Sequence, residues 1–66
     1  SMDSTQLLKI LNNPNGHPAE DIKAAMDVIQ KQIQKLPVGS QEVAKLRQQY
    51  AMLEKALKGH RLVQFG

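Results

Sequence analysis

Few side chains in this chain could do chemistry, and the two histidines come first. His17 and His60 flank the two longest predicted helices, and we expect them to lie near each other at one end of that pair. Glu20 or Asp21 could add carboxylate ligands. Structural zinc needs four ligands in fixed geometry, and two histidines on loops do not supply them. We therefore predict no metal site and interpret both histidines as loop or capping residues.

Catalytic patterns are also missing from the sequence. It has no cysteine, no glycine-rich phosphate loop, and no strand–turn–helix frame for a nucleophilic serine. Ser4 and Ser40 stand at predicted helix starts, where a hydroxyl accepts hydrogen bonds from free backbone amides. Tyr50 falls in an apolar stripe, which favours a packing role. We predict no catalytic residue, no cofactor and no enzymatic activity.

The remaining candidate site consists of four basic residues, two before and two after the segment PVGS. Lys31, Lys35, Lys45 and Arg47 are candidates for contact with phosphates or with an acidic partner. The net charge is +3, with one Tyr and one Phe, whereas nucleic-acid binders concentrate more positive charge and often offer aromatic platforms. Helix-dipole stabilisation and solubility explain the same residues, so nucleic-acid binding remains the weaker alternative.

The length of 66 residues allows one domain. A chain this short needs disulfides, a metal, oligomerisation or dense helix packing for stability, and without cysteine the last two remain. Residues 1–2, Ser-Met, resemble a cloning scar and are set aside. No glycosylation site and no apolar run of about 20 residues is present. We expect an intracellular protein without membrane contact, and nucleus and cytoplasm stay equally open.

The first predicted helix is DSTQLLKILNN. Asp3 or Ser4 can cap it. The helix face that packs against the core is predicted to contain Leu7, Leu8 and Leu11. The segment NPNGHP ends this helix, because Pro14 disfavours helical geometry in the residue before it and Gly16 readily adopts a left-handed turn conformation.

Two longer helices follow, each with an apolar stripe. The second covers residues 18–36, with Pro18 at its first position and its stripe spaced 4, 3, 4, 3: Ile22, Met26, Ile29, Ile33 and Leu36. The third covers residues 40–59, capped by Ser40 and stopped by a left-handed Gly59, with its stripe spaced 3, 4, 3, 4: Val43, Leu46, Tyr50, Leu53 and Leu57. Both spacings are typical of coiled-coil seams.

The segment between these helices is predicted to be a turn. One continuous helix would place Ser40, Arg47 and Glu54 in the seam, so the stripe changes phase here. Pro37 inside a helix would also cost about 3 kcal/mol. Together with Gly39, these features favour an antiparallel helical hairpin.

These elements predict an all-α fold over residues 3–59, a short N-terminal helix plus the helical hairpin, followed by a tail at 60–66. The core is completed either by the first helix, giving a three-helix bundle, or by dimerisation. We expect a non-catalytic protein–protein interaction module, foremost an oligomerisation (dimerisation) domain of a larger protein, with the stripe residues as core and interface. A third reading makes the first helix a detachable lid over a groove for a partner helix.

Overall fold

The computed structural model describes residues 2–65, with side chains described as far as Val63. It contains α1 (Ser4–Asn12), a 3-10 turn (Pro14–Gly16), α2 (Ala19–Gln34) and α3 (Gln41–Phe65). No strand occurs between residues 2 and 65. The predicted all-α fold is confirmed, with α2 and α3 packed against each other as the hairpin. In this part of the chain, no helix has the length and apolar character needed to cross a membrane.

Side-chain caps set the start of α1 and α3, as predicted. An Asp3 carboxylate oxygen accepts a hydrogen bond from the backbone N–H of Gln6 at 2.8 Å. The Ser40 hydroxyl accepts from the N–H of Val43 at 3.2 Å. Each cap satisfies one of the amides that the first helical turn leaves without an intrahelical acceptor.

Helix α2 begins one residue later than predicted. Pro18 keeps an extended conformation, with φ −61° and ψ 152°, and occupies the cap position instead of the first helical position. Its carbonyl accepts from the amides of Asp21 at 3.0 Å and Ile22 at 3.1 Å. Pro18 therefore starts the helix through its carbonyl oxygen, and Ala19 is the first helical residue.

The predicted turn between α2 and α3 is confirmed. Helix α2 ends at Gln34, two residues before the predicted end. Gly39 has φ +89°, in the region that side chains disfavour, and the N–H of Ser40 donates to the carbonyl of Pro37 at 3.2 Å. The chain thus reverses over a few residues at Pro37, which lacks a backbone N–H, and Gly39, which lacks a Cβ.

Gly16 has a different role from the one predicted. Its φ is not positive, and it closes the 3-10 turn by donating to the carbonyl of Asn13 at 3.0 Å. A Cβ at this position would run into the side-chain amide of Asn13. A side chain at position 16 would therefore require the exposed Asn13 side chain to move, and no left-handed conformation is involved.

One core joins all three helices. The buried residues are each at most 7% exposed: Ile10, Ile22, Ala25, Ile29, Val43, Leu53, Ala56 and Leu57. All of these except Val43 form one continuous cluster, against which Leu7 and Leu11 of α1 also pack. The first helix thus closes the bundle within a single chain.

The buried face of α1 is rotated from the predicted one. Ile10, which the pattern left out, is fully buried, whereas Leu8 is 59% exposed. The inward residues are Leu7, Ile10 and Leu11, spaced i, i+3, i+4. Either face satisfies helical spacing, and contact with α2 and α3 selects between them.

Helix α3 does not stop at Gly59 but continues to Phe65. Gly59 has no positive φ, and nothing lies within 4 Å of the place where its Cβ would be. Glycine costs about 1 kcal/mol inside a helix, which weakens the helix without ending it. The 3-10 turn packs against α3, and His60, one residue beyond the glycine, is half-buried.

The longer α3 gives the molecule its shape. At 1.5 Å per residue, 25 residues span about 37 Å, close to the longest dimension of 40 Å. The 16 residues of α2 span only about 24 Å. Because the turn aligns the two helices at one end, the last turns of α3 project beyond α2. Residues 60–65 of the predicted tail are therefore helical, while Gly66 and the side chain of Phe65 lie outside the described residues.

Candidate interaction surfaces

The stripe residues lie mainly inside the bundle. Among those predicted as core or interface, the buried ones are Ile22, Ile29, Val43, Leu53 and Leu57, and the half-buried ones are Leu7, Leu11, Met26, Ile33, Leu36, Leu46 and Tyr50. Leu8 alone among them is exposed. A single chain thus uses most of both seams for its own core. Surfaces for a partner have to be sought at the edges of these stripes.

Helix α1 covers only part of the groove between α2 and α3. Its nine residues span about 13 Å, roughly half the length of α2. Met2, just before its cap, packs against the core and lies beside Ala24 and Val28, near the middle of α2. Beyond that level, towards the hairpin turn, no helix of the described chain covers the groove.

We call this uncovered stretch the turn-end groove. It offers about 510 Å³ and is lined by Gln32 of α2, by Lys35 and Leu36 just after α2, and by four residues of α3: Glu42, Lys45, Leu46 and Gln49. Leu36 and Leu46 are half-buried and form its apolar floor. The remaining lining side chains are polar or charged, so the groove combines an apolar centre with a polar rim.

The four predicted basic residues do not form one face. Lys35 and Lys45 both line the turn-end groove, with Glu42 as the one carboxylate in its lining. Arg47 follows Lys45 by two positions, about 200° around the helix axis, and projects from the other side. The structure therefore places two of the four residues in the groove, while Lys31 borders a neighbouring depression together with Lys35.

Lys31 has a partner that the sequence analysis left out. Its Nζ lies 3.0 Å from a carboxylate oxygen of Asp27, and both side chains are exposed. The i, i+4 spacing of an acidic and a basic residue on one helix is the signal that predicts such a pair. Among the side chains described, residues 2–63, this is the one ion pair. Lys35 and Lys45 consequently keep their charges uncompensated within that range.

The histidines do not create a ligand set. His60 is half-buried, and its Nε2 has no hydrogen-bond partner among the described residues. His17 lies with Asp3 and Lys9 along a shallow depression beside α1. Within residues 2–63, no three histidine or carboxylate side chains come together as a candidate metal site.

A second surface lies along α3 from its middle towards its C-terminal end. Five large apolar side chains are exposed among residues 2–63: Leu8, Val38, Met52, Leu62 and Val63. Three of them belong to α3, one at its middle and two near its end. Met52, Gly59 and Val63 are separated by seven and four positions and so share one face of the helix, with Leu62 at its edge. We call these four residues the outer stripe.

The outer stripe was not predicted from the sequence, because the helix was expected to stop at Gly59. The signal that could have found it is the repeat of apolar or small residues at 52, 56, 59 and 63, which fits one helical face only if the helix continues.

Comparison of the chain with protein-family models, with curated proteins and with solved structures gives no significant match. Function therefore has to be inferred from the surfaces themselves.

Proposed function

We propose that this chain is a non-catalytic protein–protein interaction module that self-associates through the outer stripe of α3. The observation that carries the proposal is the exposure of Met52 at 40%, Leu62 at 73% and Val63 at 85% on one helix. Apolar side chains scattered singly over a surface need no explanation, but their concentration on one element is typical of a contact surface.

The molecule exposes more surface than a compact chain of its size. A compact monomer of 7.4 kDa is expected to expose about 4,200 Å², whereas this chain exposes 4973 Å². The extra area follows from the elongated shape, in which the last turns of α3 project and are accessible to a second copy.

Two-fold symmetry gives this contact a simple geometry. In a symmetric dimer the same patch meets itself, so the outer stripes of two α3 helices would be in contact across the two-fold axis. Gly59 lies within the stripe and has open space at its missing Cβ, which permits close approach of the two backbones. Lys55 and Lys58 are exposed beside the stripe and would repel their copies. We therefore expect the dimer to tighten as added salt screens these charges.

Light scattering across a concentration series tests the proposal. The wild-type chain is expected to approach twice its monomer mass of 7.4 kDa. Leu62→Glu/Val63→Glu is expected to remain monomeric with unchanged helix content, because both side chains project from the bundle. Val38→Glu is the matched control: it adds the same kind of charge at a turn residue that is 94% exposed, and it should dimerise like the wild type.

Two results would contradict self-association. One is a monomer mass for the wild type at every concentration up to about 1 mM, because a dissociation constant of that size corresponds to a binding free energy of only about −4 kcal/mol. The other is a dimer that persists in the Leu62→Glu/Val63→Glu variant, which would place the contact elsewhere on the chain.

A further inference from the structure

We infer that the turn-end groove binds a short acidic amphipathic helix of another protein. This surface lies at the opposite end of the molecule from the projecting half of α3. The inference goes beyond self-association and does not depend on it. It rests on the length of the groove, on the way α1 occupies the adjoining stretch, and on charge.

The uncovered length fits two turns of helix. Helix α2 spans about 24 Å and α1 covers about 13 Å of it, which leaves roughly 10 Å. Apolar anchors at positions i and i+7 of a helix are about 10.5 Å apart along its axis. Leu36 and Leu46 provide the apolar floor over this distance. A helix that carries anchors at i, i+3 or i+4, and i+7 therefore matches the available groove.

Helix α1 shows how a short helix packs on the hairpin. Its Leu7, Ile10 and Leu11, spaced i, i+3, i+4, pack into the core, and α1 lies mainly against α2. Met2, at the start of α1, borders a depression on α2 whose other end is bordered by Gln32 and Lys35, and these two residues also line the turn-end groove. A docked helix would thus extend the third layer of the bundle along the direction that α1 begins.

Charge selects an acidic partner. Lys35 and Lys45 flank the apolar floor without a carboxylate within ion-pair distance among the described side chains, and Glu42 alone opposes them. A second copy docking groove to groove would bring four lysines against two glutamates, which favours a different protein as occupant. Glutamates on both sides of a leucine stripe would meet the two lysines, and such complementarity governs specificity and association rate.

Nuclear magnetic resonance titration of the full ¹⁵N-labelled chain provides the test. The probe is a synthetic peptide of about 15 residues, the length at which isolated helices begin to persist. It carries leucines at i, i+3 and i+7, with glutamates beside them. The control peptide replaces each glutamate with lysine. We expect saturable amide shifts centred on residues 32–36 and 42–49 with the acidic peptide, and at least about tenfold weaker binding of the basic peptide.

Paired variants separate the groove from general charge. Lys35→Ala/Lys45→Ala is expected to weaken the acidic peptide by about two- to fivefold for each lysine, as exposed ion pairs do. Lys9→Ala/Lys23→Ala removes the same charge from exposed positions outside the groove and should leave the affinity unchanged. The affinity should fall as salt is added, which is the opposite of the salt effect expected for the α3 dimer.

Four outcomes would overturn the inference. Two of them are the absence of amide shifts at about 1 mM acidic peptide and equal binding of both peptides. Shifts centred on residues 52–63 would assign the peptide to the outer stripe, and tighter binding of a DNA or RNA oligonucleotide to residues 32–49 would make the groove a phosphate site. A monomeric mass in light scattering would leave the inference standing, because the two experiments probe different surfaces. Loss of both would remove the interaction-module proposal.

Discussion

Replacement of Gly59 by alanine should stabilise the protein, although the sequence alone predicts the reverse. In the structure Gly59 lies inside α3, its φ is not positive, and no atom lies within 4 Å of the added methyl group. Alanine is favoured over glycine in a helix interior by about 0.8–1.0 kcal/mol. For a domain of this size, 1 kcal/mol corresponds to a rise in Tm of about 4–8 °C.

If α3 instead stopped at Gly59 in a left-handed conformation, the sign would change. A side chain in that conformation costs about 1–2 kcal/mol. The two readings therefore differ by roughly 2–3 kcal/mol, well above the error of a denaturation experiment on a two-state domain. Gly39→Ala is the internal reference, because Gly39 has φ +89° and the substitution there should destabilise by about 1–2 kcal/mol.

Urea and thermal unfolding followed by circular dichroism provide the measurement, at low protein concentration so that self-association does not contribute to the apparent stability. The expected result is a Gly59→Ala variant above the wild type and a Gly39→Ala variant below it, with a small gain of helical signal for the former. Destabilisation by both substitutions would refute a continuous α3 and would remove the geometric basis of the outer stripe.

Three further predictions follow from burial and capping. Ile10→Ala should lower the free energy of unfolding by about 2–5 kcal/mol, because it leaves a cavity in the core, whereas Leu8→Ala should change it little; equal losses would contradict the observed face of α1. Ser40→Ala should cost about 1 kcal/mol through loss of the α3 cap, measured by urea unfolding, and no loss would mean that the cap is replaced by water. Met2→Gly should cost about 1 kcal/mol in thermal unfolding because Met2 packs against the core, and an unchanged Tm would show that this contact is without energetic effect.

The hydrophobic positions along α2 and α3 were largely predictable because neighbouring core residues repeat at helical spacing. The candidate surfaces were less so. The sequence grouped Lys31, Lys35, Lys45 and Arg47 as one candidate contact, but the separation of Arg47 from the groove and the pairing of Lys31 with Asp27 depend on direction around each helix axis. The extent of the turn-end groove depends on how far α1 reaches along α2, which is a relation between elements that are distant along the chain.

Features that depend on a few neighbouring residues, such as helix caps and the turn, could be predicted from the sequence. Asp3 and Ser40 cap their helices because a short polar side chain reaches the amides three positions ahead. Pro37 and Gly39 reverse the chain because one lacks an N–H and the other lacks a Cβ. In each case the favourable free energy of the local arrangement is larger than that of the other conformations open to the same few residues.

Tertiary structure decided the features for which local alternatives differ by about 1 kcal/mol or less. Ile10 rather than Leu8 faces inward because α2 and α3 cover that side of α1. Helix α3 continues through Gly59, and the 3-10 turn packs against this helix, in which His60 is half-buried. A difference of this size is smaller than the energy of burying one apolar side chain, so packing between distant segments determines the outcome.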